Sequence, residues 1–129
     1  MAVNILLVTH PDVGAALKKT ALVLLGGQLP ARVETLAAPW AADADETLAA
    51  ARALCDELGA GADGVLVLCD LFGATPANIG ARLAAPRKVA VVCGVNRPML
   101  LKALNYCHLA LDALVEKAKR GGLDGVVAN

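Results

Sequence analysis

Hydrophobic positions change period several times along the chain, and each change marks an element. Val3 to Val8 is an unbroken apolar run, as expected of a strand whose two faces are both covered by helices. Val13, Ala16, Leu17, Thr20, Ala21 and Leu24 then recur at helical spacing, and Gly26-Gly27 supplies the stop. Residues 31–37, ARVETLA, predict a weaker second strand, followed by a loop containing Pro39. Leu48, Ala51, Leu54, Cys55 and Leu58 mark a second helix, closed by Gly59 and Gly61. Val65 to Cys69 is the strongest strand in the chain, and Asp70 ends it. Thr75 as N-cap and Pro76 as first helical residue open a third helix. Residues 88–94, KVAVVCG, predict a fourth strand and residues 97–106, RPMLLKALNY, a fourth helix. A last helix is predicted from Leu109 to Arg120, broken by Gly121-Gly122 before the tail LDGVVAN, a candidate for one more strand.

Strand and helix alternate four times, which predicts an α/β fold: a single open, mostly parallel sheet with helices on both faces. In the flavodoxin-like strand order 2-1-3-4, the first and third strands are neighbours and the winding reverses between them. The crevice at their carboxyl ends is then the expected binding site. Those two ends carry His10 and Asp70.

Composition narrows the picture. The 129 residues fit one domain, 1–129, and with 57% hydrophobic but only 2% aromatic residues its core must be built from Ala, Val and Leu. Twelve basic residues balance twelve acidic ones without a basic cluster, which argues against nucleic-acid binding. Cys55, Cys69, Cys93 and Cys107 form no C-x-x-C pair, so they read as reduced core residues of a cytoplasmic protein rather than a disulfide or zinc framework. The start lacks a basic region, and no segment approaches the roughly 20 apolar residues that span a bilayer. No export signal or membrane insertion is therefore expected. Neither a G-x-G-x-x-G nor a G-x-x-x-x-G-K-[ST] loop is present, nor a G-x-S-x-G elbow, and with two histidines no metal site or cofactor is expected. His108, at a helix junction, reads as structural.

Taken singly, a histidine at a strand end is often a surface or capping residue. At a switch point the reading changes. A carboxylate at the end of the adjacent strand can accept from one imidazole nitrogen, fixing the tautomer and leaving the other nitrogen's lone pair for nucleophilic attack. The alternative for Asp70 is that it caps the following loop. In DLFGATPAN, the turn at Gly73 and Ala74 leads into a helix N-terminus at Thr75, where backbone N–H groups and the Thr75 hydroxyl can converge on an anion such as phosphate. The same Gly-x-Thr-Pro stretch also serves simply as a strand-to-helix connection.

The motifs VTHPDVG, DGVLVLCDLFGATPAN and CGVNRPMLL, in this order and spread over nearly the whole chain, resemble the mannose-type enzyme IIA component of the bacterial phosphoenolpyruvate-dependent sugar phosphotransferase system. The resemblance implies a phosphotransferase with a phosphohistidine intermediate. His10 would accept a phosphoryl group from phospho-HPr and pass it to a IIB component for sugar uptake. Asp70 would hold the other ring nitrogen, and Gly73, Ala74 and Thr75 would receive the phosphoryl oxygens. Gly94 to Leu100 would form another loop at the same edge. It also implies a homodimer in which a C-terminal strand, here DGVVAN, is swapped onto the partner's sheet. Acceptance should fall as His10 becomes protonated, because an imidazolium has no lone pair to offer.

Two positions depart from the family's pattern: Pro11 stands where Gly often follows the histidine, and Ala74 where a second Gly is frequent. Three other readings share the fold. One is a stand-alone regulatory IIA protein whose phosphorylation state controls a partner. Another is the phosphotransfer subunit of a dihydroxyacetone kinase, disfavoured by DLFGATPAN. The last is a flavodoxin-like binding module without catalysis.

Overall fold

The computed structural model describes residues 2–39, 43–71, 75–83 and 88–129. Its strands are β1 (Asn4–Thr9), β2 (Val33–Ala37), β3 (Val65–Cys69) and β4 (Val89–Cys93). Its helices are α1 (Val13–Leu24), α2 (Ala44–Gly59), α3 (Thr75–Leu83), α4 (Arg97–Asn105) and α5 (Leu111–Asp124). The strands lie in the order β2-β1-β3-β4, all parallel, as predicted. In register, Leu7 pairs with Thr35 on one side and with Leu68 on the other, and Cys69 pairs with Cys93.

Because side chains alternate along a strand, the apolar run of β1 serves two cores at once. Ile5 and Leu7 pack with Leu66, Leu68, Ala21 of α1, Leu100 and Leu104 of α4, and Leu114 and Ala118 of α5. Leu6 and Val8 pack on the other face with Val67, Cys69, Leu48 and Leu58 of α2, and Ile79 and Leu83 of α3. Small residues set the spacing between layers. A Cβ on Gly80 of α3 would lie 2.7 Å from Cys69 Sγ, so only glycine lets α3 settle this closely on the end of β3.

The end of the chain differs from the pattern-based expectation. Gly121 and Gly122 do not break the last helix; α5 continues through them to Asp124. Both are buried against α4, where a Cβ on Gly121 would fall 2.5 Å from Lys102 Cβ and one on Gly122 2.8 Å from Met99 Cε. The close α4–α5 approach outweighs the cost of about 1 kcal/mol that each glycine carries in a helix. Asn96 reinforces it, its Nδ2 donating to Gly122 O at 3.0 Å while its Oδ1 caps α4 through Met99 N. Leu123 and Asp124 of the proposed tail strand are thus helical, and residues 126–129 make no strand within this chain, leaving Val126 and Val127 exposed.

Candidate functional site

β1 is flanked by β2 and β3, with α1 on one face and α2 on the other, so the reversal of winding falls between β1 and β3 as anticipated. At their carboxyl ends the apolar runs stop, and the structure brings His10 and Asp70 together. One carboxylate oxygen, Asp70 Oδ2, lies 2.9 Å from His10 Nδ1 and accepts the His10 backbone N–H at 3.0 Å. The other, Oδ1, accepts the Leu71 N–H at 2.9 Å. Both side chains are largely enclosed, 8% and 11% exposed.

Burial by itself disfavours an ionised Asp70, but the bonds from the His10 N–H and ring, with that from Leu71, outweigh it and hold the carboxyl below its ordinary range. An ionised carboxylate only accepts. In the neutral ring His10 Nδ1 therefore carries the proton, and the lone pair falls to Nε2.

The turn that follows explains Pro11. The Val13 N–H donates to His10 O at 3.3 Å, and Asp12 sits at φ 74°, ψ −19°. This is the third position of a type II β-turn, in which proline is favoured at the second. Pro11 thus pre-sets the reversal that carries the chain from His10 into α1. The local cost falls on Asp12, a non-glycine residue in left-handed conformation.

Thr75, expected as a phosphate ligand, is the half-buried first residue of α3. The other two expected ligands, Gly73 and Ala74, lie outside the described residues. The Cys69 thiol donates to Pro76 O at 3.4 Å, tying the end of β3 to the first turn of α3. Burial, with Cys93 and Asp70 beside it, pushes that thiol's pKa far upward, so it is an inert core group; none of the four cysteines is in a disulfide. His108 is exposed between α4 and α5, beside Cys107, whose carbonyl accepts from Val3 N at the opposite end of β1 from His10. A cavity of about 370 Å³ lined by Cys55, Gly59, Val65, Lys88 and Val89 is also at that opposite end. Among the described residues, no cluster of three or more His, Cys, Asp or Glu could hold a metal, and no helix is long and apolar enough to cross a membrane.

Sequence reasoning did not single out Thr9. Its side chain is buried between β1 and α1, accepting the Gly14 N–H at 2.8 Å and donating to His10 O at 2.9 Å. A polar residue ending an otherwise apolar strand was the only signal available.

Residues 4–119 match the family model EIIA-man, described as the PTS system fructose IIA component. The chain belongs to this family. Within it, one relative is the PTS system fructose-specific EIIA component of Bacillus subtilis (strain 168), 42% identical over 57 residues, or 43% of this chain. That match spans only 39% of the Bacillus protein. Among solved structures, the chain is similar to the PTS IIA protein associated with the fucose utilization operon of Streptococcus pneumoniae, with a TM-score of 0.80, 25% identity, and 99% and 96% of the two chains covered. The mannose/sorbose-specific IIA subunit of Enterococcus faecalis shares the fold at a TM-score of 0.87 and 22% identity, with 100% of this chain and 96% of that one covered. The EIIA-man fold is thus the open α/β sheet described above, and the His10–Asp70 pair sits at its switch point.

Proposed function

We propose that this EIIA-man chain is a phosphocarrier that accepts a phosphoryl group on His10 from phospho-HPr and hands it to a IIB component during sugar uptake. The observation that supports the reading is the 2.9 Å contact between His10 Nδ1 and Asp70 Oδ2, which favours a ring protonated at Nδ1 with its lone pair on Nε2. In the transfer, a bond forms from Nε2 to phosphorus as the bond from phosphorus to the donor histidine nitrogen breaks. The ring keeps its Nδ1 proton and becomes cationic. Asp70, already ionised and in contact, stabilises that charge without reorganising. The Thr75 hydroxyl, with the backbone at Gly73 and Ala74, would receive the phosphoryl oxygens at the start of α3. The same geometry run in reverse delivers the group to the next carrier.

Protein partners suit the surroundings. Val13 and Leu71, immediately beyond the turn after His10 and beside Asp70, are exposed at 39% and 58%, giving the site an apolar rim. The chain would act in the cytoplasm as one IIA domain, without a metal or cofactor. A homodimer would use the exposed Val126 and Val127 to extend a partner's sheet. The test is incubation with phosphoenolpyruvate, enzyme I and HPr. The wild type should take up phosphate from phospho-HPr and His10→Ala should not; undiminished uptake by His10→Ala would contradict the assignment.

A further inference from the structure

Thr9 is the last residue of β1, and its alternation with Leu7 and Ile5 points its side chain into the layer shared with α1. Only 2% of the residue is exposed, so its hydroxyl sits where an apolar side chain would ordinarily pack. Both of its hydrogen-bonding roles are used, and they run to the two segments flanking the turn. Oγ1 accepts the N–H of Gly14, the second residue of α1, and its hydrogen is donated to His10 O.

The first bond does the work of an N-cap. The opening N–H groups of a helix lack internal partners, and a capping side chain normally accepts from the second or third of them. Asp12 holds the N-cap position of α1 but makes no side-chain cap bond, because its left-handed backbone is committed to the turn. Thr9 supplies the acceptor from the strand instead. Gly14 permits this, since a Cβ there would lie 3.0 Å from Thr9 Oγ1 and 3.4 Å from Leu7 Cβ.

The second bond reaches the candidate nucleophile. His10 is anchored on its amino side by its N–H to Asp70, and on its carbonyl side by Thr9 Oγ1 at 2.9 Å and the longer Val13 N–H at 3.3 Å. With both flanking peptide planes held, the Cα–Cβ direction is set, and the ring meets Asp70 Oδ2 without searching. We propose that Thr9 is a positioning residue for phosphoryl transfer, clamping the His10 backbone to the first turn of α1 so that the ring is presented to Asp70 in one tautomer. This rests on the phosphocarrier reading above.

Thr9→Val keeps the shape but removes the donor to His10 O and the acceptor for Gly14 N–H, whereas Thr9→Ser keeps the hydroxyl and loses only a methyl group. Nitrogen-15 shifts of the His10 ring in the unphosphorylated protein report the tautomer independently of any transfer. The wild type and Thr9→Ser should show a single Nδ1–H tautomer, and folded Thr9→Val a mixture. With saturating phospho-HPr, Thr9→Val should transfer slower by about tenfold or more, with KM little changed because the rim is untouched. Thr9→Ser should match the wild-type rate even though its stability is lower. A folded Thr9→Val with the wild-type tautomer and rate would reduce Thr9 to a helix cap and overturn the proposal. If Thr9→Val does not fold, Thr9→Ser decides: the wild-type rate supports the clamp, and a rate lowered along with stability overturns it. Absence of phosphate on His10 in the wild type would instead sink the phosphocarrier reading, with the tautomer measurement still deciding the role of Thr9.

Discussion

A single oxygen of Asp70, Oδ2, engages both His10 N–H at 3.0 Å and His10 Nδ1 at 2.9 Å, so one carboxylate fixes the backbone and the ring of the residue at the end of the neighbouring strand. Neither contact is local in sequence. They exist because β1 and β3 are paired with Val8 opposite Cys69, which puts Asp70 level with Thr9 and within reach of His10, the next residue.

Removing the carboxylate should therefore have two effects. Asp70→Ala leaves the His10 N–H and ring proton without their acceptor in a largely enclosed site, costing about 1–3 kcal/mol of stability. Transfer from phospho-HPr should slow on the order of a hundredfold, because the ring loses its tautomer and its countercharge. Urea unfolding and rapid-quench transfer measurements check the two separately; an unchanged transfer rate would remove Asp70 from the mechanism.

The pH dependence follows from the direction of the Asp70 shift. Its carboxyl titrates lower in the folded chain than in the unfolded one, so the stability it contributes is present above the unfolded value and is lost as pH falls through the folded one. Wild-type and Asp70→Asn proteins should thus differ most near neutrality and converge as acid protonates Asp70. Urea midpoints measured across the carboxylate range check this. A gap that stays constant with pH would show that Asp70 titrates alike in both states.

At Asp12 the left-handed backbone, φ 74°, predicts a gain on substitution. Asp12→Gly should stabilise the chain by about 0.5–1 kcal/mol, the relief of the side-chain clash being partly offset by glycine's greater freedom when unfolded. Pro11→Ala should lose about 0.4–1 kcal/mol, because the pre-set φ of the turn is given up. Thermal unfolding of the two variants measures both signs.

In α5, Gly121→Ala should destabilise by about 1–3 kcal/mol despite alanine's better helix propensity, since the new methyl group would collide with Lys102 Cβ at 2.5 Å. Chemical denaturation decides whether packing or propensity governs this position.

The contrast at Gly121 shows what the sequence could and could not reveal. Apolar runs and helical spacing disclosed the alternating elements, because burial on one or two faces writes its period directly into the chain. The His10–Asp70 pairing was legible for the same reason, being a consequence of strand order. Gly121-Gly122 was misread because a helix stop and a close helix–helix contact use the same residue, and only the partner surface of Lys102 and Met99 distinguishes them. Pro11 stood out only as a departure from the family's pattern until the φ of Asp12 showed the turn it serves. Thr9 carried no visible signal beyond its polarity, since both its hydrogen-bond partners are backbone atoms whose positions no side-chain pattern records.

The most direct test is to find where the phosphoryl group sits on the ring. After incubation with phosphoenolpyruvate, enzyme I and HPr, phosphorus-31 and nitrogen-15 spectra should show one acid-labile phosphate, on Nε2 of His10, with Nδ1 still protonated and facing Asp70. A phosphate on Nδ1, on another residue, or on none would contradict the role assigned to the His10–Asp70 pair.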